Sequence, residues 1–216
     1  MSQSLKIQAV IFDRDGVIIN TEGLVIKSIR YALRMLGFEL QDEDIPQITG
    51  RSFNVYKSYF QNKYDFDIDK YRKIQNDYFY EHLDEAEYFE HTLELIKTLH
   101  NKKIPIAITT SAGRDGTMLM LNKVGIGDIF NVIVTQEDCN SLKPDPEPYA
   151  LTAKNLGIEP KYCVAIEDTA LGVESAKKAG MICIAIPNEH TNHQDFSLAD
   201  VVVKSGKEVY KLLKFE

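Results

Sequence analysis

The sequence predicts an α/β fold: a Rossmann-like, doubly wound parallel sheet core with an all-α helical cap inserted after the first strand. Three observations carry that expectation. Short apolar runs recur at residues 7–12, 104–109, 132–135, 163–166, 182–186 and 201–203. They are apolar on both faces, as parallel strands sandwiched between helices are. Segments of helical period lie between the later runs, at 92–102, 115–124, 146–156 and 170–179, and such alternation of β and α units implies a parallel sheet. Residues 21–88, by contrast, carry no strand signal. The expected domains are a core of 1–19 and 89–216 and a cap of 20–88.

Taken in order, the first run ends abruptly in Asp13-Arg14-Asp15-Gly16. In the insert, Val25, Ile29, Ala32, Leu33 and Leu36 form a helical stripe that Gly37 ends. Residues 53–64 are rich in aromatics, and 71–83 again have helical spacing, giving roughly four helices. Beyond the insert, Gly125, Gly157 and Gly180 stand where helices end in a left-handed residue, and Pro146 and Pro148 open the helix before Gly157. No internal repeat, low-complexity run or long linker is present.

The bulk composition narrows the function. Of the 216 residues, 44% are apolar and 26% charged, ordinary for a globular protein. A formal charge of −7 argues against nucleic acid as partner, since phosphate backbones demand clustered Lys and Arg. No run approaches the ~20 apolar residues that span a bilayer, so no membrane association is expected. Residues 1–6 are polar and read as no signal peptide. Cys139, Cys163 and Cys183 make no CxxC and no even set; reduced thiols and a cytoplasmic location are the expectation. His190 and His193, with no third ligand beside them, read as a solvated loop.

Chemistry enters through the strand ends. In an open α/β sheet the ligand crevice lies at the carboxyl ends of the parallel strands. Asp13 and Asp15 follow the first run, Thr110-Ser111 the second, a loop to Lys143 the third, and Glu167-Asp168 the fourth. Two carboxylates two positions apart on an extended chain share a side and repel unless a cation lies between them. Asp13, Asp15, Glu167 and Asp168 make an oxygen-rich cluster suited to Mg²⁺, and Lys143 adds a fixed positive charge. A phosphate held by metal, ammonium, Thr110 and backbone amides would let Asp13 attack phosphorus. Asp15 would then protonate the leaving oxygen and afterwards deprotonate water.

The segments FDRDGVIINTE, ITTS, LKPDPEPY and VAIEDTALGVESAKKAGM resemble the haloacid dehalogenase superfamily, and more narrowly its β-phosphoglucomutase-like phosphatases with a helical cap. The resemblance covers nearly the whole chain, with the four motifs in family order. It implies that Asp13 is the nucleophile and Asp15 the general acid/base. It further implies that Thr110 and Lys143 bind phosphate, that Asp168 with Glu167 forms the metal site, and that the Asp15 backbone carbonyl also binds Mg²⁺. Gly50-Arg51 resembles a cap loop that reaches the substrate.

The departures are informative. Arg14 stands where the family usually has an apolar residue, and reads as touching none of the chemistry. Asn20 replaces a common Asp near the cap hinge. Val25 occupies the position of a histidine that serves true β-phosphoglucomutases, which favours hydrolysis over a mutase cycle. A two-component receiver domain gathers similar groups, but in a different order and in a chain near half this length. A dehalogenase would leave Asp15 without a purpose. The expectation is therefore a Mg²⁺-dependent phosphatase acting on a small phosphorylated metabolite through an aspartyl-phosphate, as a monomer or weak homodimer. A sugar-phosphate mutase and a catalytically silent interaction protein of the same fold are the alternatives.

Overall fold

The computed structural model describes residues 7–49 and 53–213. The chain divides into two compact units, Met1–Ile19 with Tyr88–Glu216, and Asn20–Glu87.

Among the described residues the larger unit is built on six parallel strands, β1 (Ala9–Phe12), β4 (Ile106–Thr109), β5 (Val132–Val134), β6 (Cys163–Glu167), β7 (Ile182–Ala185) and β8 (Val201–Val202). They lie side by side in the order β5-β4-β1-β6-β7-β8. Side chains alternate across a strand, and here both sets are buried. Ala9, Ile11, Ala107, Cys163, Ala165, Cys183 and Ala185 pack with Tyr149 and Ala153 of α7 (Glu147–Leu156) and with Val173 and Ala176 of α8 (Ala170–Lys178). Small residues on the strands let those two helices approach closely. The alternate set, including Val10, Phe12, Ile106, Ile108, Val164 and Ile166, is also buried. There α5 (Glu90–Asn101) meets β4 and α9 (Gly206–Leu212). The remaining crossover helix is α6 (Arg114–Lys123).

Register decides what meets at the edge. Phe12 pairs with Ile108 on one side and Ile166 on the other, so β1, β4 and β6 end within one residue of one another, and Asp13 comes level with Thr109 and Glu167, the last residues of β4 and β6. Strand starts are shorter than the apolar runs suggest. Lys103, at φ 58°, closes the turn after α5, and the two residues after it lead into β4 without joining it.

The smaller unit holds α1 (Glu22–Met35), α2 (Ile45–Ile48), α3 (Phe53–Lys63) and α4 (Ile68–Glu81). Ile29, Ala32 and Leu33 of α1, Tyr56 and Phe60 of α3 and Tyr71 of α4 form its core. Tyr71 lies in a ring cluster with Phe53, Phe60 and Phe66. Gly37 and, in the larger unit, Gly125, Gly157 and Gly180 all have positive φ, the conformation that ends a helix without a Cβ clash. One expectation fails here: the 21–88 stretch is not free of strand. β2 (Ile19–Asn20) and β3 (Glu87–Tyr88) pair as a two-stranded ribbon, each too short to show alternation in sequence.

Candidate active site

Asp13 continues β1, its N–H donating to the Ile166 carbonyl (2.9 Å). After it the chain turns back sharply: Ile18 and Ile19 both donate to the Arg14 carbonyl, and Gly16 sits at φ 77°. A Cβ on Gly16 would overlap the Asp168 carboxylate, so glycine is required there for space as well as for backbone conformation.

Lys143 lies on the loop between β5 and α7. Its ammonium donates to Asp13 Oδ1 (2.5 Å), Glu167 Oε1 (2.5 Å) and the Thr109 carbonyl (3.0 Å). A fourth, longer contact to the Tyr149 hydroxyl (3.4 Å) competes for the same three protons. The Tyr149 ring, 4.8 Å from Nζ to its centroid, adds a cation–π contact. Tyr149 donates its own hydroxyl to Glu167 Oε1 (2.7 Å).

Glu167, at the end of β6, is 1% exposed. Its second oxygen accepts from the Asp168 amide (3.2 Å) and the Thr169 hydroxyl (3.4 Å). Thr169 in turn caps α8 by accepting from the Gly172 amide (3.1 Å). A Cβ on Gly172 would overlap the Glu167 carboxyl group, which makes this glycine part of the wall of the site. Asp168 accepts from Asn188 Nδ2 (2.9 Å), which also reaches the Gly16 carbonyl (3.4 Å).

Oxygen atoms of Asp13, Glu167 and Asp168 lie within 4.8 Å of one another. Three buried carboxylates thus face one ammonium. Burial is the largest influence on Asp13, opposed by Lys143 and assisted by Glu167, and its carboxyl is raised from 3.8 to about 7. Asp168 is raised as well, by burial first and then by Asp13 and Glu167. Lys143 is held protonated: burial opposes its charge, but Asp13 and Glu167 outweigh it. A hard divalent cation fits this set, because every donor is a carboxylate oxygen and the excess charge is negative. Glu167 already has both oxygens engaged, leaving Asp13 and Asp168 as the better side-chain donors.

The other sequence candidates divide. Thr110 follows β4; its hydroxyl accepts from the Ala112 amide (3.1 Å) and retains its own proton to donate. Ser111 is half-buried beside it. The Asp15 side chain is not in the oxygen cluster. It faces Arg14, whose Nε and NH2 grip its two oxygens at 2.7–3.0 Å. Arg14, expected to touch none of the chemistry, thus lies against the candidate residue Asp15: the side chain doubles back onto its neighbour, which residue type alone does not show. Arg51 falls outside the described residues. Tyr149, Asn188 and Gly172 carry no role in the sequence reading, and Gly16 appears there only at the end of the first apolar run. Tyr149 had only its place on the α7 face as a signal, and Asn188 had none.

A parallel α/β sheet with acidic residues and a lysine gathered at its carboxyl edge is the framework of a doubly wound α/β protein whose polar site lies at the strand ends. Residues 10–186 match the family described as haloacid dehalogenase-like hydrolase, and the chain belongs to that family. It is an enzyme of the phosphatase type within it. A Clostridium perfringens protein provisionally named as the pyrophosphatase PpaX is 34% identical over 176 residues, 81% of each chain. The validoxylamine A 7′-phosphate phosphatase of Streptomyces hygroscopicus subsp. limoneus is 26% identical, covering 94% of this chain and 95% of its own. Among solved structures, CbbY of Rhodobacter sphaeroides in complex with phosphate superposes with a TM-score of 0.83 at 24% identity, covering 94% and 96% of the two chains. Among the described residues no helix is long and apolar enough to cross a membrane.

Proposed function

We propose that this enzyme is a Mg²⁺-dependent phosphatase that hydrolyses a small phosphorylated metabolite through a phosphoryl group carried on Asp13. The observation that carries the reading is the buried Asp13–Lys143 pair at 2.5 Å, set among further carboxylates with Asp15 two residues on. Asp13 and Asp168 would hold the ion, with the Asp15 backbone carbonyl as a third donor and the Glu167 charge beside them. Bound there, Mg²⁺ would neutralise charge on the phosphoryl oxygens and on Asp13.

The chain's own groups then have distinct tasks. Lys143, by turning one proton from a protein acceptor to the substrate, binds the phosphate oxygens together with Thr110 and the amides beyond β4 and fixes their orientation. A carboxylate oxygen of Asp13 forms a bond to phosphorus as the bond to the leaving oxygen breaks, and Asp15 gives that oxygen its proton. In the second half Asp15 takes a proton from water, the water oxygen bonds to phosphorus, and the Asp13–phosphorus link breaks to release inorganic phosphate. The helical unit, residues 20–87, would serve as the cap that admits and selects substrate, and Arg51 would be a substrate-binding residue. Val25 in that unit favours hydrolysis over mutase chemistry. The protein would work in the cytoplasm as a monomer or weak homodimer.

The test is phosphate release from a panel of sugar phosphates, other small phosphate esters and inorganic pyrophosphate, the last prompted by the PpaX relative, with and without Mg²⁺. Turnover should require the ion, and Asp13→Asn should fold and lower kcat by at least about 10³. Turnover near wild type in Asp13→Asn would reject the covalent route. Rapid conversion of β-glucose 1-phosphate to glucose 6-phosphate with little free phosphate would make the enzyme a mutase.

A further inference from the structure

We propose that Arg14 is a positioning residue that sets the orientation of the Asp15 carboxylate for both proton transfers. Arg14 is 5% exposed, and a buried guanidinium is costly unless its donors are satisfied. Most of its donors are spent on Asp15. NH2 meets Asp15 Oδ1 at 2.8 Å and Oδ2 at 2.7 Å, and Nε meets Oδ2 at 3.0 Å. Its other terminal nitrogen, NH1, donates to Thr117 Oγ1 (2.8 Å) on α6. That hydroxyl has already given its proton to the Gly113 carbonyl (2.8 Å), so its lone pair must face Arg14.

The result is a chain of fixed groups running from the Gly113 carbonyl, at the start of α6, through Thr117 and Arg14 to Asp15. A two-pronged contact constrains the rotation of a carboxylate as well as its place, which a single ammonium does not do. The asymmetry of exposure is also telling. The Asp15 side chain is 36% exposed where that of Arg14 is 6%, so the fork anchors a carboxylate that still faces outward. Fixed orientation is what a group needs if it must protonate a leaving oxygen in one step and deprotonate water in the next.

The inference rests on the phosphatase reading, and the experiment separates the two. Wild type, Arg14→Met, Arg14→Lys and Thr117→Val are assayed with Mg²⁺ on an alkyl phosphate and on p-nitrophenyl phosphate, with thermal melts to establish folding. An alkoxide needs a proton as it leaves, whereas p-nitrophenolate departs without one. Arg14→Met should lower kcat on the alkyl ester about hundredfold with KM within about threefold. On p-nitrophenyl phosphate it should give a burst of one p-nitrophenolate per enzyme followed by slow turnover, because only the water step still calls on Asp15. Arg14→Lys should not restore the alkyl rate, since it keeps charge without the fork. Thr117→Val removes the brace without touching Asp15; it should show a smaller loss of the same kind, absent in the Arg14→Met background. Folded Arg14→Met with unchanged or raised kcat on the alkyl ester overturns the proposal, as does equal loss on both esters without a burst. Should Arg14→Met not fold, a wild-type kcat in Thr117→Val overturns it. Wild type inactive on every ester would instead remove the phosphatase reading and this inference with it.

Discussion

Glu167 shows how much one side chain can be asked to do. It orients Lys143 through one oxygen, takes the Tyr149 hydroxyl on the same atom, and ties down the start of α8 with the other. Its carboxyl group is lodged against Gly172, where a methyl group would have to displace it. Gly172→Ala is therefore expected to cost about 1–3 kcal/mol, the usual range for forcing an extra carbon into a filled core. Because Glu167 would shift rather than the helix backbone, activity should fall further than stability implies. Chemical denaturation and kcat measured on the same preparation check this, and a variant more stable than wild type would show that helix propensity wins over crowding. Gly172 lies in the quoted ALGVESAKKAG segment, yet nothing in residue order says which side chain meets it. The pairing exists only once β6 and α8 are packed.

At the scale of elements, the helical unit is fastened by a polar cluster inside an aromatic core. Asp44, fully buried, accepts from Lys63 Nζ (2.5 Å), the hydroxyls of Tyr59 (2.5 Å) and Tyr64 (3.0 Å), and the Gln41 amide (2.8 Å). It thereby links the turn before α2 to the end of α3. Burial works against its charge, but the hydrogen bonds outweigh burial and hold the carboxyl below its ordinary 3.8. A depressed acid contributes stability above its unfolded value that is lost as pH falls through the folded one. Asp44→Ala should thus cost on the order of 2 kcal/mol at pH 7 and lose less than wild type on acidification below pH 4. Helical circular dichroism followed during denaturation at pH 7 and pH 3 tests it, and parallel acid losses in the two proteins would sink the idea. The stripe of Val25 to Leu36 and the terminating Gly37 made α1 legible in sequence. The cluster on Asp44 was not, since its acceptor and donors lie up to twenty positions apart in a run of ordinary surface residue types.

At the scale of the whole molecule, the α/β class was legible because a strand buried on both faces has to be apolar throughout, and the nearly level ends of β1, β4 and β6 follow from topology. The roles given to the site residues rest on that same convergence. Residue order named the acidic residues and the lysine; what lay beyond it was the geometry, in which Asp13, Glu167 and Asp168 come within 4.8 Å of one another against Lys143 while the Asp15 side chain turns to Arg14. Stability should record that crowding of carboxylates. Without metal, Asp13 is raised from 3.8 to about 7, by burial first and against the pull of Lys143. An acid raised on folding contributes stability that is complete below its unfolded value and is lost as pH rises through the folded one. The metal-free melting temperature should therefore drop between pH 4 and pH 7 relative to Asp13→Asn, which lacks the titrating group. Mg²⁺ supplies the missing positive charge, and at a hundredfold excess over its dissociation constant it should raise the wild-type melting temperature by roughly 5–10 °C at pH 7. Asp168→Ala should lose most of that shift and Glu167→Ala less, because Glu167 already spends both oxygens on protein donors. A pH-independent gap between wild type and Asp13→Asn would mean that the native fold does not strain this carboxylate. A Mg²⁺ shift that survives Asp168→Ala would place the ion elsewhere.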